Sequence, residues 1–146
     1  MKVPLRAMLF AGLGVTLSTA CVDLNKNDVQ PSTWEATLMP APAFPGLAGQ
    51  AAAVVSAAGT DLGVGLSGAT PGAQHTWALR LGTCALPGQQ IGEDTDYPRL
   101  AVSDSGKAAA EAILGTQLAR DGSYAVVVRL STADTTRLAC GNLARR

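Results

Sequence analysis

Apolar and polar residues alternate one by one in several short segments of the chain. In TWEATLM, Trp34, Ala36 and Leu38 alternate with threonine and glutamate. The same two-residue period recurs in DLGVGLS (61–67) and in SYAVVVRLS (123–131). Successive side chains of a β-strand point to opposite faces, so this pattern is typical of a strand that buries one face. We predict a half-buried strand in each of these segments.

The segment SGKAAAEAILG, Ser105–Gly115, is compatible with two structures. Its serine start, alanine-rich middle and glycine end favour a short helix. Ala108, Ala112 and Leu114 nevertheless belong to an alternating series within the same segment. A helix of about ten residues is only marginally stable by itself, and the neighbouring segments are predicted strands. We therefore favour a strand over a helix here.

Turns rich in glycine or proline, such as GATPG and RDGS, separate the alternating segments. A weaker strand is predicted over Ala51–Ala58 because this segment contains two adjacent valines. About seven or eight short strands at close spacing are typical of an antiparallel sandwich or barrel. The predicted fold class is therefore all-β.

Composition and charge narrow the class of protein further. The chain has 146 residues, of which 47% are hydrophobic and 15% charged, as expected for one globular domain. Its formal net charge is zero. Removing Lys2 and Arg6 with the first 20 residues leaves nine basic against 11 acidic residues, a net charge of about −2. No basic run is present, so nucleic acid is not an expected partner.

The N-terminus has the features of a secretory signal. Lys2 and Arg6 precede AMLFAGLGVTL, an apolar stretch of 11 residues. A membrane-spanning helix needs about 20 such residues, whereas this length fits the apolar part of a signal peptide. The small residues Ser18 and Ala20 then fit a cleavage site. We expect residues 1–20 to be removed on export.

The sequence STAC, which ends at Cys21, is similar to the bacterial lipobox. In that interpretation Cys21 is lipidated and binds the protein to a membrane. The chain has three cysteines, and lipidation of one leaves Cys84 and Cys140 as an even pair in an oxidising compartment. Ordinary secretion with a free Cys21 is the alternative. The expected location is the periplasm or the outer membrane, with a tether over 21–32 and the domain over 33–146.

Two segments resemble one known family. RLACGNL (137–143) resembles the C-terminal strand of Cu/Zn superoxide dismutases, and GATPGAQHTWALRLGTC (68–84) resembles their other signature. The resemblance covers about Thr33 to Leu143. It implies a Greek-key β-sandwich, and it also implies a disulfide between Cys84 and Cys140, because the corresponding cysteines are joined in the family.

The metal ligands of that family are largely missing. Its copper is held by four histidines, one of which bridges to zinc, but this chain has the single histidine His75. The resemblance places His75 at the first copper ligand, Trp77 at the second and Arg129 near the last. The segment 85–99, where the bridging and zinc ligands are expected, has no histidine. We therefore expect no catalytic residue, no metal and no cofactor, with His75 the one weak metal candidate.

Arg137 matches the arginine that lies beside copper in the family and attracts the superoxide anion. Without copper that role has no electron-transfer partner. The interpretation we prefer is an arginine on the solvent face of the last strand, paired to a carboxylate.

The expected function is therefore non-enzymatic, a structural or binding module of an envelope lipoprotein. A copper-binding or dismutase-type protein that uses His75 with ligands from a partner is the alternative. His75, Trp77, Arg129 and Arg137 form the candidate binding face, for an envelope protein or a small apolar ligand. Because the loop 132–136 is short, we expect Trp77 to be partly accessible. If it is not, His75 and Trp77 are residues of the core.

Overall fold

The computed structural model describes residues 31–146; the predicted signal, Cys21 and nearly all of the tether therefore lie outside the described residues. These residues form strands joined by turns, with one 3₁₀ turn at Asp94–Asp96. The strands are β1 (Ser32–Pro40), β2 (Ala48–Ser56), β3 (Gly59–Ser67), β4 (Gln74–Gly82), β5 (Pro87–Gln90), β6 (Leu100–Ala101), β7 (Ala108–Leu114), β8 (Tyr124–Arg129), β9 (Arg137–Asn142) and β10 (Ala144–Arg145).

The strands form an antiparallel sheet that curls into a half-barrel, and the prediction of an all-β fold is confirmed. Along the sheet the order is β5-β4-β8-β9-β1-β2-β3-β7. Two short strands lie off this path, since β10 pairs with β1 and β6 pairs with β4. The segment Ala108–Leu114 is a strand, as favoured above, and it pairs with β3 along its whole length.

The alternating pattern places the core on one face of this curved sheet. Trp34, Ala36 and Leu38 of β1 are buried, while the residues between them are exposed. Trp34 packs edge-on against Tyr124 of β8, with ring centroids 5.5 Å apart. Such an edge-to-face pair adds about 1 kcal/mol to the area that the two rings bury. The apolar phase of each long strand therefore faces the interior of the half-barrel.

A disulfide joins Cys84, in the loop after β4, to Cys140 of β9, with Cα atoms 5.8 Å apart. The pair is 56 residues apart in the sequence. A cross-link that closes a loop of this length stabilises a domain by roughly 4 kcal/mol in the loop-entropy model. Cys140 packs with Ala125 and Val127 on the outer face of the sheet, away from the main core. The disulfide therefore fixes the outer side of the β8–β9 region.

Gly141 has a steric role in the same strand. A Cβ atom at this position would lie 2.7 Å from the carbonyl oxygen of Thr37 and 2.8 Å from a methyl group of Leu38. Carbon atoms do not approach each other so closely in folded proteins. The glycine that follows Cys140 therefore allows β9 to lie against β1.

The predicted number of strands was too low. β6 and β10 have two residues each, and β5 lies in a segment that carries no alternating pattern. These strands form because β4 and β1 offer unpaired backbone groups beside them. Buried backbone groups need hydrogen-bond partners whatever side chains they carry.

Candidate functional site

His75 and Trp77 lie on the inner face of β4. Only 5% of His75 and 3% of Trp77 is exposed to solvent. Trp77 is opposite Val128 on β8, and Val128 is part of the core. The prediction that Trp77 is accessible was therefore wrong. Alternation correctly grouped these side chains on one face, but that face is turned toward the core.

Arg129 is not on the face that bears Trp77. It is opposite Thr76 in the β4–β8 register, one residue out of phase with Trp77, so it projects from the outer face. The register therefore places His75 and Trp77 on one side of the sheet and Arg129 on the other, although Trp77 and Arg129 both line the cleft described below.

Trp77 fixes the loop that follows β5. Its indole N–H donates a hydrogen bond to the carbonyl oxygen of Pro98 at 2.7 Å. Its ring lies edge-on to Tyr97, with centroids 5.1 Å apart. Burial raises the pKa of the Tyr97 hydroxyl to about 12, and this hydroxyl donates to the carbonyl oxygen of Ile91. The buried side chains of Trp77 and Tyr97 therefore hold the loop from 91 to 98 in place.

His75 is hydrogen-bonded within the fold. Its Nδ1 is 3.0 Å from the carbonyl oxygen of Leu130. Because a carbonyl only accepts hydrogen bonds, Nδ1 carries the proton in this contact. Across residues 31–146, no three His, Cys, Asp or Glu side chains come together as a metal site requires. His75 thus has a structural partner and no neighbouring metal ligands in this part of the chain.

Arg137 is exposed and lies near the disulfide. Its guanidinium donates a hydrogen bond to the carbonyl oxygen of Cys84 at 2.6 Å. The expectation of a carboxylate partner was wrong, because the loop carbonyl takes that place. Arg137 is opposite Arg129 in the β8–β9 register, where the pairing is irregular. The two side chains nevertheless line different depressions, and Arg137 shares its depression with both cysteines.

A cleft of about 390 Å³ lies on the outer face of β4 and β8. Its floor includes Ala78 and Val127, which are opposite each other in the register. The polar side chains that line the cleft are Thr76, Arg80, Gln90, Asp94, Thr95, Arg99, Arg129, Ser131, Thr132 and Thr135. Three arginines therefore give the cleft a cationic character, while Trp77, Ala78, Tyr97 and Val127 form the apolar part of its lining.

The register explains why the arginines converge. Arg129 is opposite Thr76 on one side of β4. On the other side β6 pairs Leu100 with His75, so Arg99 comes next to Thr76 there. Arg80 projects from the same outer face of β4, four residues further along. Arg99 and Arg129 thus flank one end of the cleft, and Arg80 lies toward the other.

The charges in the cleft are unbalanced. Three arginines line it, and Asp94 is the one carboxylate among its described lining residues. Partial burial lowers the pKa of Arg129, and the like charge of Arg80 lowers it further, while Asp94 opposes the change. Arg80 and Arg129 are therefore close enough to repel each other. The cleft carries an excess of two positive charges.

Arg80 also has an unused hydrogen-bond donor. One terminal nitrogen of its guanidinium donates to the carbonyl oxygen of Gly88 at 2.8 Å. Its Nε is buried and has no acceptor. A buried donor without a partner costs about 1–3 kcal/mol.

Asp94 is held at the rim by Gln90, whose amide donates to its Oδ1 at 2.8 Å. The 3₁₀ turn that carries Asp94 is closed by a hydrogen bond from the backbone N–H of Glu93 to Asp96 at 2.8 Å. The carboxylate is therefore positioned by its own loop. It does not depend on an ion pair with an arginine.

Of the three arginines, Arg129 was a predicted site residue, whereas Arg80 and Arg99 were not predicted. The signal was present in the polar phase of HTWALR, where Thr76 and Arg80 alternate with the apolar side chains. Arg99 and Arg129 come from distant segments, and only the strand register brings them beside Thr76.

Comparison of the chain with models of known protein families finds no match, and comparison with curated proteins finds none either. Within residues 31–146 no helix has the length and apolar character that a membrane span requires. The geometry and charge of the cleft are therefore the basis for assigning a function.

Proposed function

We propose that this protein is a non-enzymatic binding module that holds small anions in the arginine-lined cleft. It is exported to the bacterial envelope and anchored there by a lipid at Cys21. The observation that carries the proposal is the excess of positive charge on a recessed surface, from Arg80, Arg99 and Arg129 against Asp94. Arginine is well suited to anions because its planar guanidinium donates two parallel hydrogen bonds to a carboxylate or phosphate.

Desolvation strengthens such contacts. Arg129 is partly buried at the end of β8, and this burial lowers the pKa of its guanidinium. Charge–charge interactions weaken in proportion to the local dielectric constant, so a recessed arginine binds an anion more strongly than one in bulk water. Like charges held close together also favour any ligand that neutralises them. A bound anion therefore relieves the repulsion between Arg80 and Arg129, and this relief increases the affinity for the anion.

Two observations support a Greek-key fold of the Cu/Zn superoxide dismutase type. The sheet order has connections from β3 to β4 and from β7 to β8 that join non-adjacent strands. The RLACG segment supplies Cys140, which is joined to Cys84 as in that family. The single histidine agrees with a member that has lost the redox chemistry. His75 does not favour the copper alternative, because it is buried and bonded to Leu130.

Titration calorimetry with sulfate tests the binding function. Sulfate is a tetrahedral anion that accepts hydrogen bonds from guanidinium groups. A hydrogen bond to a charged group contributes about 1.5–3 kcal/mol, so Arg129→Met should weaken sulfate binding roughly 10- to 100-fold. Arg120→Met is the matched control, because Arg120 is exposed and lies outside the cleft. The proposal fails if sulfate does not bind, or if both variants bind it like the wild type.

A further inference from the structure

We infer that the cleft selects dianions over monoanions, and that its ligand is a phosphomonoester on a hydroxylated body. This inference rests on the proposed anion-binding function and names the class of ligand. Its first support is the charge count. Three arginines and one aspartate leave two positive charges to be neutralised. A monoanion such as a simple carboxylate would leave one guanidinium charge uncompensated in a recessed site, whereas a dianion neutralises both.

The second support is the number and direction of the donors. Arg99 and Arg129 flank Thr76 at one end, and Arg80 approaches from the other. A tetrahedral group presents oxygens in several directions and can meet donors from both ends. A planar carboxylate presents its two oxygens in one plane and can accept the pair of parallel hydrogen bonds from one guanidinium group. The hydrogen bond from Arg80 to the carbonyl oxygen of Gly88 limits the movement of that guanidinium in the lining of the cleft.

The third support is the shape and chemistry of the remaining space. A volume of about 390 Å³ falls in the range of small-molecule sites and exceeds the needs of an inorganic ion. Ser131, Thr132 and Thr135 line the side near Arg129 and offer hydroxyl groups. The two aromatic residues in the lining, Trp77 and Tyr97, are buried and present no exposed ring for stacking. A hydroxylated body fits these walls better than a nucleobase does.

Protonation of the ligand provides the decisive test. A phosphomonoester loses its second proton with a pKa of about 6, whereas sulfate is a dianion across the range from pH 5 to pH 7.5. The charged and titratable groups that face the ligand are Arg80 on β4, Arg129 on β8, and Asp94, Tyr97 and Arg99 in the loop between β5 and β6. Any change in these groups, or in His75 behind the sheet, would affect sulfate binding as well. The pH dependence of sulfate binding therefore measures the contribution of the protein's own groups, separately from the protonation of the ligand.

The experiment is titration calorimetry of the purified protein with glycerol 3-phosphate, methyl phosphate, sulfate and acetate at pH 5 and pH 7.5. We expect glycerol 3-phosphate to bind about tenfold more tightly at pH 7.5, following the fraction of dianion, with sulfate binding unchanged. Acetate should bind at least tenfold more weakly than sulfate, and methyl phosphate more weakly than glycerol 3-phosphate. Vesicles that contain phosphatidic acid distinguish a lipid phosphomonoester from a soluble one.

Arg80→Lys is the informative variant, because it retains the charge and removes the fork. We expect it to weaken glycerol 3-phosphate binding at least fivefold while the melting temperature stays near that of the wild type. Equal affinities for acetate, sulfate and glycerol 3-phosphate at both pH values would overturn selection for dianions and leave anion binding intact. Equal affinities for methyl phosphate and glycerol 3-phosphate would overturn the hydroxylated body. Absence of binding by every probe would overturn both proposals.

Discussion

Arg137 donates a hydrogen bond across the disulfide region to the carbonyl oxygen of Cys84, at 2.6 Å. The first residue of the RLACG segment thereby contacts the loop to which the fourth residue, Cys140, is covalently joined. The Arg137 side chain therefore holds the loop that carries Cys84. Its contribution is therefore expected in stability and not in ligand binding.

Replacing Arg137 with methionine should lower the free energy of unfolding by about 1 kcal/mol, the typical worth of one exposed hydrogen bond. Urea denaturation of the oxidised protein measures this loss, with Arg120→Met as the control for removing an exposed arginine. Sulfate affinity should not change, because Arg137 lies outside the cleft. A weaker affinity for sulfate in the Arg137 variant would contradict the separation of the two depressions.

The disulfide should be a major source of stability. Replacing Cys84 and Cys140 together with alanine is expected to lower the free energy of unfolding by roughly 4 kcal/mol, since the unfolded chain regains the freedom of a long loop. Chemical denaturation of the oxidised protein and of the double variant gives the difference. A non-reducing peptide map should find the two cysteines linked, and free thiols at both positions would show this assignment to be incorrect.

Trp77 should behave as a core residue. Its replacement by alanine is expected to cost about 3–5 kcal/mol, the range for a buried aromatic side chain, and it also removes the hydrogen bond to Pro98. Denaturation measures the cost. In a Trp34→Phe background the fluorescence of Trp77 should be protected from acrylamide. Strong quenching together with an unchanged melting temperature would instead restore the exposed binding face.

Alkaline pH should destabilise the fold through Tyr97. Its pKa rises from 10.0 to about 12 on folding because burial disfavours the phenolate. The unfolded chain therefore releases its proton first, and the stabilising contribution, complete below pH 10, is lost as the pH rises through about 12. A shift of this size corresponds to about 3 kcal/mol. Stability measured between pH 9 and pH 12 should fall less steeply in Tyr97→Phe, and identical slopes would exclude this cause.

Attachment to the membrane remains a prediction from the sequence, since Cys21 lies outside the described residues. Replacing Cys21 with serine should release the protein into the soluble periplasmic fraction, because acyl chains on this residue supply the anchor. Fractionation followed by immunoblotting measures the change. Wild-type protein that is already soluble would favour ordinary secretion.

Alternation predicted most of the long strands well because they bury one face. The prediction of a half-buried strand was wrong for β8, since residues 124–128 are buried on both faces of the sheet. β1, predicted from Trp34, Ala36 and Leu38, has these three side chains in the core. The same rule grouped His75 with Trp77 but did not show which side of the sheet they face. The side that they face depends on how the whole sheet curves. The alternating pattern of a single strand gives no information about that curvature. The side became evident only from the pairing of Trp77 with Val128.

The cleft could not be predicted from the sequence, for a related reason. Arg80, Arg99 and Arg129 belong to segments far apart in the chain, and each alone has the pattern of a solvated charge. The sequence does not specify that Arg129 is opposite Thr76, or that β6 brings Arg99 to its other side. The three arginines come together only through the strand register. The disulfide between Cys84 and Cys140, in contrast, was implied by a family resemblance in which the paired cysteines are already known.

The inward-facing and outward-facing residues of β4 have separate roles. Trp77 and Leu79 are buried in the interior, so substitutions there destabilise the domain. Thr76 and Arg80 are partly exposed and line the cleft, and exchanging them alters what the cleft accepts, whereas Ala78 between them belongs to the core. A laboratory library restricted to these two positions should therefore yield mostly folded members with diverse ligand preferences. The domain is suited to serve as a scaffold whose recognition is reprogrammed one strand face at a time.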